Sequence, residues 1–168
     1  MSAFEGVSVH TASIRPEWID YNGHMNVAWY VLVFDEGIDG LWDALGLDAD
    51  YRAREGGTTF AVECHVSYLR ELVEGDPVTV TAQLLAWDAK RIHQFQRMYH
   101  STEGYLAATC EWMSLHVDSA SRRVSPWPGA VPERLAAFAR RHAGAPWPEQ
   151  AGRRMRVPEP IGPEERSK

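Results

Sequence analysis

The hydrophobic period of this chain changes once, and that change restricts the fold more than any other feature. Between residues 27 and 45, Val27, Tyr30, Val31, Phe34, Ile38, Leu41 and Leu45 recur at steps of three or four. Asp35, Glu36, Asp39 and Asp43 fall largely between them. The spacing predicts one helix over about 26–46, with Asn26 as its N-cap, Gly46 near its end, and Gly56-Gly57 marking a loop. The apolar stripe is wide, so this helix is expected to be well buried.

Beyond it the period becomes two. Phe60, Val62, Cys64, Val66 and Tyr68 alternate with Ala61, Glu63, His65 and Ser67. Further strands are expected over 78–87, 92–100 and 105–117, separated by EGDP (74–77), DAKR (88–91) and STEG (101–104). A first strand is read at Val7 to Ile14, closed by Pro16, and a short last one within 122–127. The order β-α-β-β-β-β gives an α+β class, with an antiparallel sheet of about five or six strands wrapped around one long central helix. Pairing of sheets edge to edge in a homodimer would cover the free edge. Pro132 to His142 reads as a short amphipathic helix, with Leu135, Phe138 and Ala139 on one side. Residues 1–143 are expected to form one domain. The tail 144–168 holds five prolines and many charges and is expected to be extended or disordered, with Trp147 and Met155 as its large anchors.

Several function classes are disfavoured at once. A net charge of -6 argues against a nucleic-acid surface, which needs clustered cations. Cys64 and Cys110 both lie in apolar runs, which fits reduced thiols in the cytoplasm rather than a disulfide framework. The start MSAFEGVSVH lacks the basic and apolar parts of a signal peptide, and no apolar run approaches the ~18 residues that span a membrane. The chain has no GxSxG, GxxxxGK[ST], GxGxxG, CxxC or HExxH. Glu63 and His65 share a strand face, but no third ligand stands at a telling spacing, so no metal site is expected.

That leaves the polar stretch DYNGHMN (20–26) at the mouth of an apolar helix. Two readings stand on the residues alone. Asp20 and Asn22 can make Asx-turns with Asn26 as a plain cap. Alternatively, the free N–H groups near Val27 can stabilise an oxyanion, with Asp20 as the attacking carboxylate or as a base for water. Gly23 would then let the backbone approach a ligand.

The pattern Asp20-x-x-Gly23-His24-x-Asn26-x-x-x-Tyr30 resembles the D-x-x-G-H-x-N-N-x-x-Y signature of hotdog-fold acyl-CoA thioesterases of the 4-hydroxybenzoyl-CoA thioesterase type. VSYLRELVEGDPVTVTAQLL (66–85) is similar to that family's second and third strands, and the likeness covers about residues 7–127. The resemblance implies hydrolysis of a small acyl-CoA to free acid and CoA, with no cofactor because CoA is part of the substrate. It implies Asp20 as nucleophile or general base and the Val27 N–H as the group that polarises the thioester carbonyl. His24 and Asn26 would shape the loop and hold water or the thioester. The family's second asparagine is Val27 here, so a side-chain role at that position is lost while the backbone donor remains. Family active sites lie at a dimer interface, in homodimers or homotetramers. That gives Glu63, His65, Tyr68, His93 and Trp112 a pocket role from the partner subunit, beside Gly23, Trp29 and Tyr30. Lys90 and Arg91, with Arg70 as another, are candidates for the CoA phosphates.

WIDYNGHMNVAWYVLVFDEG and LRELVEGDPVTVTAQLL further resemble the thioesterases of carnitine breakdown, whose substrate is betainyl-CoA. The chain's seven tryptophans fit a trimethylammonium group, since each cation–π contact contributes roughly 0.5 to 2 kcal/mol. Two rivals are a hotdog enoyl- or hydroxyacyl-CoA hydratase-dehydratase, which pairs a histidine with an acid, and a non-catalytic acyl-CoA-binding protein.

Overall fold

The predicted helix forms as α1, Val27–Leu45, with Asn26 as its N-cap and Gly46 as its C-cap. The structure, a computed structural model, describes residues 4–156. Tyr30, Val33, Phe34, Ile38, Leu41, Trp42 and Leu45 of α1 are buried. Two glycines let the helix lie directly on the sheet. A Cβ at Gly40 would stand 2.0 Å from the Val9 carbonyl oxygen, and one at Gly37 would stand 2.9 Å from Val80 Cγ1. Val9 is the residue left over by a bulge in β1 (Val7–Ser13), where the register slips between Ser8 and His10.

The remaining strands are β2 (Gly57–Tyr68), β3 (Pro77–Trp87), β4 (Arg91–His100), β5 (Leu106–Asp118) and β6 (Arg123–Val124). They form one six-stranded sheet in the order β1-β3-β4-β5-β2, with β6 paired to β5 and every pairing antiparallel. Val78, Val80, Ala82 and Leu84 of β3, with Ile92, Met98, Cys110 and Trp112, share one core with α1. This is the hotdog arrangement expected from the sequence. β2 lies at an edge of the sheet, and Phe60, Val62 and Tyr68 on it remain exposed.

Three local features differ from the sequence reading. A second helix, α2 (Ala49–Glu55), follows Asp48, whose Oδ1 accepts the Tyr51 N–H at 2.8 Å. Gly57 opens β2 instead of extending a loop. α3 (Val131–Arg140) buries Val131, Leu135 and Phe138, one residue earlier than read from the sequence at its start.

Residues 144–156 carry neither helix nor strand, and the chain crosses the sheet face turned away from α1. The Gln83 Nε2 donates to the Pro146 carbonyl at 3.1 Å, the Trp147 ring sits edge-on to His93, and the Gly152 N–H donates to Glu111 Oε2 at 2.8 Å. These contacts touch β3, β4 and β5 in turn. Met155 is exposed, and the part of the tail read at 157–168 lies outside the described residues.

Candidate active site

The loop before α1 is closed by its own backbone. The Asp20 carbonyl accepts the Gly23 N–H at 3.0 Å, the Asp20 N–H donates to the His24 carbonyl at 3.1 Å, and Ile19 pairs with Met25. Such a turn ends in a left-handed residue, and Gly23 takes it at φ 82°. A Cβ there would meet no protein atom within 4 Å, so within the chain the glycine serves the turn. The loop is tied to the body at two points. The Met25 N–H donates to the Leu72 carbonyl at 2.8 Å and the Asn26 N–H to the Trp18 carbonyl at 2.9 Å. Trp18, Met25 and Leu72 are all buried.

The carboxylate of Asp20 is held on both oxygens. Oδ1 accepts the Asn22 N–H at 2.8 Å, and Oδ2 accepts the Asn26 side-chain amide at 3.2 Å. Asn26 also caps α1: its Oδ1 accepts the Ala28 N–H, and its carbonyl accepts the Trp29 N–H, each at 3.0 Å. The second and third helical donors are thereby occupied. The first, the Val27 N–H, has no partner among the described residues, and Val27 is 55% exposed. It stands at the partially positive end of a 19-residue helix.

Aromatic side chains border this mouth. The Tyr68 hydroxyl donates to the Val27 carbonyl at 3.3 Å, and its ring meets Tyr30 edge-on at 5.3 Å. Burial pushes the Tyr30 phenol up to about 12 and the Tyr68 phenol above its ordinary value. Both therefore stay protonated near neutral pH. Trp29 stacks on Trp18 at 5.6 Å, so one face of its indole is covered. The His24 ring reaches only the Met25 carbonyl, at 3.5 Å, and among the described residues makes no side-chain hydrogen bond to the Asp20 carboxylate.

The structure thus gathers Asp20, Gly23, His24, Asn26, Val27, Trp29, Tyr30 and Tyr68 at one end of α1. It does not bring Trp112, Lys90 and Arg91 there within one chain. Tyr68 pairs with Ala108, whereas Trp112 pairs with Cys64 and is buried in the core. Arg91 pairs with Leu115, seven residues from Ala108 along β5, or ~23 Å at the rise of a strand. Its guanidinium is also engaged, since Nη2 lies 2.6 Å from Asp88 Oδ2 and holds that exposed carboxylate down to about 2. Of the three cations, Arg70 is nearest the mouth. It lies over the Tyr105 ring at 3.7 Å in an open cavity of about 460 Å³ walled also by Glu71, Asp76 and Glu103. Leu72 is the residue that sequence reasoning missed: it anchors the loop through its carbonyl, for which no side-chain pattern is a signal. Among the described residues no group of three or more His, Cys, Asp or Glu side chains is placed to hold a metal ion.

Comparison with known proteins bears on the family and the fold. Residues 14–137 match the model of the thioesterase-like superfamily. A betainyl-CoA thioesterase of Pseudomonas aeruginosa is 39% identical over 90% of this chain and 96% of its own length. A Rhizobium L-carnitine dehydrogenase/betainyl-CoA thioesterase is 38% identical over 83% of this chain, which spans 28% of that longer protein. A hypothetical protein of Staphylococcus aureus, solved in complex with CoA, superposes with a TM-score of 0.85 at 31% identity, covering 94% of this chain and all of the other. The match across residues 14–137, with a relative 39% identical over most of both chains, makes the chain a member of the thioesterase-like superfamily.

Proposed function

We propose that this acyl-CoA thioesterase acts on betainyl-CoA, with Asp20 and the Val27 N–H as its reacting pair. The observation that carries the reading is the N–H at the start of α1, unpartnered among the described residues and seven residues in sequence from a carboxylate tied to the same helix cap. The thioester carbonyl oxygen accepts from the Val27 N–H. The carbonyl carbon is attacked by the Asp20 carboxylate, giving a mixed anhydride that water then hydrolyses to the free acid and the restored carboxylate, or by water that Asp20 deprotonates, giving the free acid directly. The C–S bond breaks, and CoA leaves as the thiolate and is protonated by solvent.

The acyl group follows from the relatives and from reach. In a betainyl thioester the quaternary nitrogen stands two bonds from the carbonyl carbon, so its cage must adjoin the Val27 N–H. Tyr68 meets that demand through its contact with the Val27 carbonyl, whereas Asp35 lies eight residues on, ~12 Å along the helix axis. The exposed Phe60, Val62 and Tyr68 on the β2 edge support a homodimer whose second subunit closes the open mouth. Arg70 is the better-placed cation for the nucleotide phosphates. Two free cysteines support a reducing compartment, and among the described residues no helix is long and apolar enough to cross a membrane.

The lack of a side-chain hydrogen bond between Asp20 and His24 weighs against the hydratase reading. A screen across acyl-CoAs separates the two. Release of free thiol, fastest from betainyl-CoA, is expected. Loss of enoyl absorbance without thiol would replace the reading with a hydratase, and fast hydrolysis of straight-chain acyl-CoAs with betainyl-CoA ignored would overturn the substrate alone.

A further inference from the structure

Asn26 stands between the two groups that do the chemistry, and it bonds to both sides at once. Its Oδ1 accepts from the Ala28 N–H at 3.0 Å while its Nδ2 donates to Asp20 Oδ2 at 3.2 Å. A helix cap needs only the first of these, and serine and aspartate provide it about as well as asparagine. The second bond is surplus to capping. The other carboxylate oxygen is bound by Asn22, a member of the same loop, so that bond fixes Asp20 to the loop and not to the helix. Among the described residues, Asn26 alone ties the carboxylate to the helix end. Because a capping side chain bonds the second or third helical N–H, it also decides that the first, on Val27, stays free.

We propose that Asn26 is a positioning residue whose amide sets the Asp20 carboxylate at a fixed offset from the Val27 N–H. This rests on the reading of Asp20 and Val27 as the reacting pair. Aspartate at 26 keeps the cap, loses the donor and places a second negative charge against Asp20. Serine keeps the cap but has one short oxygen that cannot reach both partners. Either change leaves the CoA-binding surface untouched, so turnover suffers and KM does not.

The test uses the full chain with Asn26→Asp, Asn26→Ser and Asn26→Ala, followed by melting, by steady-state thiol release, and by a crystal structure of Asn26→Ser. The Asp and Ser proteins are expected to melt close to the parent and the Ala protein lower. Misplacement by about 1 Å costs about 100-fold, so kcat is expected to fall about 100-fold in Asn26→Asp, and about 10-fold in Asn26→Ser, with KM little changed. In the Ser crystal the Asp20 carboxylate is expected to leave its parent position. The inference is overturned if the Asp and Ser proteins keep kcat in step with their melting temperatures, as a plain cap would, or if the Asp20 carboxylate stays in place without the amide. Should the parent chain release no thiol from any acyl-CoA, the reading of the reacting pair falls. The position of Asp20 in the Ser crystal then decides the inference on its own.

Discussion

Replacing Gly40 with alanine probes how α1 is seated on the sheet, and through that where its N-terminus stands. Alanine is the better helix former by about 1 kcal/mol, so on an open helix the change would stabilise. Here the new Cβ would lie 2.0 Å from the Val9 carbonyl oxygen and 2.9 Å from its carbonyl carbon. Close C–H···O contacts in proteins lie at about 3.3–3.6 Å, so helix and strand must part by more than an ångström. Both atoms belong to backbone, and no rotamer change relieves them. Overpacking costs about 1–3 kcal/mol, and this case belongs at the upper end. Subtracting the propensity gain leaves a loss of about 2 kcal/mol, or a fall in Tm of about 4–8 °C for a domain of this size. Gly37→Ala is the control on the same helix. Its Cβ meets Val80 Cγ1 at 2.9 Å and the tip of the Gln96 amide at 3.3 Å, side chains that can turn, so the expected loss is below about 1 kcal/mol. Urea titration and calorimetry of both proteins decide it. A Gly40→Ala protein as stable as the parent, or less affected than Gly37→Ala, would refute the reasoning.

Further outcomes follow from other sites. Tyr51→Phe removes a hydroxyl 2.8 Å from the buried His116 Nε2 and leaves that nitrogen unpaired, a loss of about 1–3 kcal/mol measurable by urea titration. Burial lowers the His142 pKa below its usual 6.5, and its Nε2 accepts the Leu84 N–H at 3.1 Å, which requires the neutral ring. The unfolded chain therefore takes up the proton first, so this contribution is complete above pH 6.5 and is lost as pH falls through the lower folded value. His142→Ala is expected to melt lower at neutral pH and to show a shallower decline on acidification. Tyr68→Ala is expected to narrow the preference for betainyl-CoA over its uncharged isostere, 3,3-dimethylbutanoyl-CoA, by about 2- to 30-fold in kcat/KM, the size of one cation–π contact. An unchanged ratio would remove Tyr68 from the ammonium site.

What could be read before the fold was known depended on range. The stripe of α1 and the alternation of β2 to β5 are repeated patterns within one segment, and the strand boundaries fall within a few residues of those expected. α2 escaped because only Tyr51 of its seven residues is buried, so no stripe announces it. Its Asp48 cap and Gly56 stop were present but weak without periodicity. Gly37 and Gly40 matter through atoms of β1 and β3, which nothing local to the helix reveals. Lys90 and Arg91 had suitable chemistry, but register puts them at the far end of the β3–β4 hairpin from Asp20. The Asp20–Asn26 cluster was legible because loop, cap and donor are neighbours in sequence. The bond linking Asn26 to the carboxylate was not, since residue types do not say which oxygen an amide will meet.

Asp20 is proposed to drive thioester hydrolysis against the Val27 N–H. Asp20→Asn preserves size and can still accept the Asn22 N–H, giving up the Asn26 bond, so its melting temperature should stay close to the parent's. Measured by thiol release from betainyl-CoA, kcat is expected to fall about 10²- to 10⁴-fold, the range for loss of a catalytic base. A folded Asp20→Asn protein that hydrolyses betainyl-CoA at the parent rate would contradict the account.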